Sequence, residues 1–117
     1  MSQIRILHNP RCSKSRQTLQ LLQDRGLNVE VVEYLKAPLS ATELAELQQK
    51  LAITDIRDMM RTKEDIYKEL QLGAETVSED DLRAAIVAHP ILLERPVVVT
   101  DTGARIGRPP ESVLELL

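Results

Sequence analysis

The chain has no tryptophan and no phenylalanine, and Tyr34 and Tyr67 are its only aromatic residues. An interior without large rings must be filled by leucine, isoleucine, valine and methionine. Two tyrosines are too few for a stacking platform on single-stranded nucleic acid. The formal net charge is −3 and no run of lysine or arginine stands out. That excludes the concentrated basic surface on which phosphate-driven DNA binding depends. No apolar stretch approaches the roughly 20 residues needed to span a bilayer. The N-terminal "MSQIRILHNP" meets a charge and then a proline too early for a secretory signal. Cys12 is the only cysteine, so no internal disulfide can form and a reducing, cytoplasmic location is expected. One cysteine and two scattered histidines also give no metal-ligand spacing.

What is present suits one globular domain over residues 1–117, with 43% hydrophobic and 28% charged residues and no repeat, linker or low-complexity tract. Ile4–Leu7 is a short apolar run ending at Asn9-Pro10, a buried strand entering a turn. "SKSRQTLQLLQDRG" carries Leu19, Leu21 and Leu22 and closes on Gly26, the signature of a helix with glycine at its C′ position. "NVEVVEYL" predicts a second strand reaching Tyr34, so the chain opens as a right-handed βαβ unit with parallel strands. Ser40 and Glu43 form a capping box ahead of a helix running to about Ala52. Residues 54–72 are helical but broken, and "SEDDLRAAIVAH" is a capped helix stopped by Pro90. Together these make a helical insertion over about residues 40–90. "RPVVVTDTGARIG" then predicts a β hairpin turning at Asp101-Thr102-Gly103. "RPPESVLELL" predicts a final helix with prolines in its first turn. The fold class is α/β, in the order βαβ, helices, ββα.

Cys12 sits where the first strand hands over to the first helix, in "HNPRCSKSR". Free cysteines are most often buried and inert. Here a position in a turn before a helix predicts exposure. The unpaired N–H groups of residues 13–16 and the cations Arg11, Lys14 and Arg16 predict a thiolate, its pKa drawn from about 8.5 towards about 3.5–7.5. The motif is C-x-x-S, with Ser15 where a dithiol oxidoreductase has its second cysteine. A single thiolate can attack an electrophile but needs an external thiol, such as glutathione or a glutaredoxin, to resolve the adduct. His8, four residues before Cys12, either supports the thiolate as an imidazolium or hydrogen-bonds the turn. His89 before Pro90 is expected to cap the carbonyls at a helix C-terminus. Arg95 and Arg108 each precede a proline at an edge of the hairpin, and arginine forks grip tetrahedral oxyanions bidentately.

"HNPRCSKSRQTLQLL", "HPILLERPVVV" and "RIGRPPESVLELL" resemble the glutaredoxin-coupled arsenate reductases of the ArsC family, in family order over essentially the whole chain. The resemblance implies a thioredoxin-like fold with a helical insertion. It implies Cys12 as the nucleophile that forms a thiol–arsenate adduct, with glutathione and glutaredoxin completing reduction to arsenite. Arg61 in "MMRTKED", Arg95 and Arg108 fall on the family's anion-binding arginines, and His8 on the position that helps keep the cysteine ionised. It implies that Ser15 hydrogen-bonds the thiolate or the bound anion, and that the Arg95–Pro96 bond is cis. Glutathione enters as co-substrate, with no bound cofactor and no metal. The loop Cys12-Ser13-Lys14-Ser15 departs from the Cys-Gly-Thr-Ser of better-known members, so Lys14 adds a charge there. Two other readings stand beside this one. The substrate is another oxyanion or a mixed disulfide, or the chain is a non-catalytic regulator that binds a partner such as RNA polymerase.

Overall fold

The first strand, β1, covers Ile4–Leu7, and alternation decides its faces: Ile4 and Ile6 are buried while Arg5 between them is exposed. The structure, a computed structural model, describes residues 4–116. Helix α1 (Ser13–Asp24) follows and buries Leu22 against the Ile4/Ile6 face. It ends as the sequence predicts. Gly26 has φ +72, and its N–H and that of Leu27 bond back to the carbonyls of Gln23 and Leu22.

Strand β2 (Val29–Val32) pairs in parallel with β1, completing the βαβ unit. It stops short of the predicted end. Tyr34 is buried in the turn that follows, where the Lys36 N–H bonds the Glu33 carbonyl. Strands β3 (Val97–Val99) and β4 (Ala104–Ile106) are the predicted hairpin, closed by the Thr100 N–H on the Gly103 carbonyl at 2.8 Å. β3 pairs antiparallel with β1, giving one mixed sheet of order β2-β1-β3-β4. The predicted last helix is a 3₁₀ helix, Pro110–Leu116. Pro109 and Pro110 bring no N–H to its start, and the i→i+3 bond from Ser112 to the Pro109 carbonyl sets the tighter winding. Val113 from this helix joins Ile4, Ile6, Leu22 and Val98 in one core cluster.

These elements make one compact unit, Met1–Ala37 with Arg95–Leu117; the second is Pro38–Glu94. In the second unit α2 (Ala41–Leu51) starts with the predicted capping box, the Ser40 hydroxyl on the Glu43 N–H and the Glu43 carboxylate on the Ser40 N–H. The broken stretch resolves into a 3₁₀ turn at Ile56–Met59 and a short α3 (Asp65–Glu69). Helix α4 (Glu79–Ala88), capped by Ser78, contacts α2 and the 3₁₀ turns at Ile56–Met59 and Pro90–Leu92. His89 closes α4 through its backbone N–H on the Ala85 carbonyl rather than through its ring. No helix among the described residues is long and apolar enough to cross a membrane.

Candidate active site

The site begins with a turn held by one asparagine. The Asn9 side chain accepts from the Arg11 N–H at 3.0 Å, its carbonyl accepts from the Cys12 N–H at 3.0 Å, and its own N–H donates to Ser15 Oγ at 3.0 Å. That triple engagement brings the chain out of β1 and sets Cys12 as the N-cap of α1, with extended dihedrals (φ −93, ψ 122). In the sequence Asn9-Pro10 marks only a turn, with no sign of this threefold engagement. Asparagine directly before a proline, in a turn, is the signal that would have pointed to the residue.

Cys12 is 8% exposed, so the thiol is drawn inward rather than lying open as its turn position predicts. The side chain lies against the first N–H groups of α1 and beside a guanidinium from the other end of the chain, Arg108 Nη2, 3.9 Å from Sγ. Burial pushes the thiol pKa up, but the Ser15 N–H, the Arg95 charge, the Lys14 N–H and the Arg108 charge outweigh it. The net result lies below the ordinary value.

Arg108 is aimed by its backbone surroundings. Its Nε donates to the Arg95 carbonyl at 2.9 Å, so the two arginines are linked across the ends of the hairpin. Gly107 beside it has its N–H on the Pro96 carbonyl at 2.8 Å. A Cβ at Gly107 would lie 2.7 Å from Thr18 Oγ1 and 2.8 Å from Pro96 Cγ, so only glycine lets the arginine loop approach α1 this closely. Thr18 is fully buried, its hydroxyl donating to the Lys14 carbonyl at 2.8 Å. Neither Gly107 nor Thr18 was picked out from the sequence, because the clash depends on a contact between residues far apart in the chain. The Arg95–Pro96 bond is cis, as is Arg108–Pro109.

His8 and Ser15 meet directly, His8 Nδ1 and Ser15 Oγ lying 2.7 Å apart with both residues buried. Burial, the largest influence, holds the His8 pKa below its ordinary value of 6.5; Glu33 opposes this and Arg16 reinforces it. Of the two roles the sequence left open for His8, this environment favours the hydrogen bond within the turn. The Ser15 hydroxyl is engaged by His8 and Asn9, and it is the Ser15 backbone N–H that serves the sulfur. Arg16 braces the loop, its Nη1 donating to the Pro10 carbonyl at 2.9 Å. Arg61 belongs to the second unit, where its guanidinium pairs with Glu64 and its N–H bonds the Leu92 carbonyl. The structure thus brings Cys12, Arg95, Arg108, His8 and Ser15 into one unit, with Arg61 in the other. Among the described residues no group of histidine, cysteine, aspartate or glutamate is arranged to hold a metal ion.

Comparison with known proteins gives this arrangement its setting. The chain is 52% identical over 115 residues to the uncharacterized protein YfgD of Escherichia coli (strain K12), covering 98% of this chain and 97% of that one. It is 48% identical over 117 residues, the full length of both chains, to an arsenate reductase of Neisseria meningitidis serogroup A. The solved structure of an arsenate reductase from Vibrio cholerae superposes with a TM-score of 0.97 at 51% identity, over 98% of each chain. A sequence model of the ArsC family matches residues 7–116, and with the four-stranded sheet and the segment of helices between β2 and β3 the chain belongs to the ArsC family of thioredoxin-like folds.

Proposed function

We propose that the protein is an oxidoreductase that reduces arsenate to arsenite, with Cys12 as nucleophile and glutathione and glutaredoxin supplying the electrons. The observation that carries this reading is a single buried thiol, poised towards thiolate, with a guanidinium 3.9 Å from its sulfur. The meningococcal and vibrio relatives named arsenate reductase support the choice of oxyanion.

In the proposed reaction the Cys12 thiolate attacks arsenic(V), an S–As bond forms, and one arsenate oxygen leaves as water after protonation. Arg95 and Arg108 bind the arsenate oxygens and offset the charge that develops on them. The first N–H groups of α1 stabilise the sulfur before attack and when it is regenerated. A glutathione thiol then attacks the same arsenic, and a second oxygen leaves as water. The glutaredoxin thiolate attacks the glutathione sulfur. The S–As electron pair stays on arsenic, which becomes arsenic(III), and a glutaredoxin–glutathione disulfide departs. Water releases arsenite and restores the Cys12 thiolate. His8 and Ser15 act through their mutual hydrogen bond, which fixes the turn that presents the thiol. The route draws on no metal and no bound cofactor, and its thiol donors place it in a reducing cytoplasm.

The test is arsenate-dependent NADPH oxidation, coupled through glutathione reductase with glutathione and glutaredoxin supplied, for wild type beside Cys12→Ser. Turnover that vanishes in the variant is the expected result. Turnover that survives in Cys12→Ser overturns the mechanism. A folded wild type with no turnover overturns the substrate and moves the search to other oxyanions, mixed disulfides and protein partners.

A further inference from the structure

The charges that act on the thiolate are those of Arg95 and Arg108, yet other cations stand next to Cys12 in the chain. The first 23 residues contain no aspartate or glutamate, yet they include Arg11, Lys14 and Arg16 around Cys12, besides Arg5, which pairs with Glu30, in a chain whose net charge is −3. Helix α1 has no acidic residue in its first turn and instead places Lys14 there. A cation at that end opposes the helix dipole, which favours carboxylates at N-termini and cations at C-termini. Arg16 is spent on the Pro10 carbonyl, and Arg108 on the Arg95 carbonyl and the sulfur. The Arg11 and Lys14 side chains are exposed, flank Cys12 in the sequence, and meet no hydrogen-bonding or ionic partner among the described residues.

We infer that Arg11 and Lys14 form a recognition rim for the carboxylates of a small peptide thiol of the glutathione type, selecting it over uncharged thiols. This rests on the reading of Cys12 as a reactive thiolate whose adducts are resolved by an external thiol. The Arg108 guanidinium lies 3.9 Å from the sulfur and the Arg95 charge also acts on it, so these two serve an oxyanion bound there. A thiol approaching that adduct brings its sulfur to the centre and its carboxylates outward, and the exposed side chains next to the centre are Arg11, directly before Cys12, and Lys14, whose N–H serves the sulfur. Their cost to the helix is offset by an anionic partner, and exposed charges on a thiolate rim act chiefly on encounter, with strong dependence on salt.

The experiment needs no arsenate, so its outcome is separate from that of the reductase assay. Reduced wild-type protein and the Arg11→Gln/Lys14→Gln variant are each mixed with oxidised glutathione or with uncharged 2-hydroxyethyl disulfide, and mixed-disulfide formation at Cys12 is followed by mass spectrometry. In each case the thiolate attacks one sulfur of the disulfide and the other leaves as thiolate, so the chemistry is the same and only the charge differs. At low ionic strength the double variant should lose about tenfold in rate with oxidised glutathione, corresponding to about 1.4 kcal/mol, and less than about twofold with the neutral disulfide. High salt should erase most of the wild-type preference. Equal losses on both disulfides would mean that the two cations only hold the thiolate, and no loss on either would mean that they do nothing for this step; both results overturn the inference. Inertness of wild-type Cys12 towards both disulfides would instead strike at the reactive-thiolate reading beneath it.

Discussion

Two residues of the site titrate below their ordinary values, but burial drives only one of the two shifts, because the charged form it disfavours is the thiolate of Cys12 and the imidazolium of His8. Burial alone would keep the Cys12 thiol protonated, yet the Ser15 N–H, Arg95, the Lys14 N–H and Arg108 reverse its effect. Alkylation of Cys12 followed against pH should therefore give a midpoint below that of an ordinary thiol. Arg95→Gln should raise it more than Arg108→Gln, because the Arg95 charge is the stronger of the two influences. Identical profiles for both variants and wild type would remove the guanidiniums from the account. For His8 burial wins, so the imidazole stays neutral in the fold to lower pH than in the unfolded chain. As pH falls below the ordinary 6.5, the unfolded state takes up that proton first, and stability is lost progressively towards the lower folded value. His8 thus contributes stability above 6.5 that is withdrawn on acidification. In urea unfolding at a series of pH values, the gap between wild type and His8→Gln should narrow towards acid. A gap constant with pH would show that His8 is not neutral by burial.

At the scale of the element, α1 is a helix whose best start has been given up. Cys12 occupies the N-cap and makes no side-chain capping bond, whereas Ser40 and Ser78 cap α2 and α4 through their hydroxyls. Serine at an N-cap is worth about 1 kcal/mol over a residue that does not cap. Cys12→Ser should accordingly abolish thiol chemistry while raising the melting temperature by a few degrees, a trade of stability for activity. Calorimetry of the reduced proteins decides it, and a lowered melting temperature would mean that the sulfur itself holds the turn. The same elements explain what could be read from sequence. The capping box at Ser40, Gly26 at φ +72 and the hairpin turn are local chemistry, so they were legible. The 3₁₀ winding of Pro110–Leu116 was not, because prolines in a first turn suit either pitch and the Ser112 bond to the Pro109 carbonyl settles it. Nor was the buried state of Cys12, which depends on Arg108, 96 residues away along the chain. Arg95 and Arg108 were legible as candidates from their prolines and the family resemblance, but their linkage through the Arg95 carbonyl was not.

For the molecule as a whole, the sheet is ordered by a pairing that is distant in sequence. β1 is flanked on both sides, by β2 in parallel and by β3 antiparallel, and its partner residues in β3 are Val97–Val99, reached only after the whole of Pro38–Glu94. Closing so long a loop costs entropy before the strand contacts repay it, so β1–β3 pairing should form late and, once formed, open only with the fold itself. The edge strands differ. β2 leaves Val31 43% exposed and β4 is paired on one side alone. Native-state hydrogen exchange should therefore rank the amides bonded between β1 and β3 as the slowest of the sheet, opening near the global unfolding free energy, with β2 and β4 exchanging through smaller openings. The prediction bears on function because Cys12 follows β1 and Arg95 precedes β3. If the β1–β3 amides exchanged as fast as those at the edges, the thiol and its guanidiniums would sit on a mobile hinge. Slow exchange there means that Cys12 and Arg95 are carried by the most stable part of the sheet, with Arg108 tied to it through its bond to the Arg95 carbonyl, ready before any anion arrives.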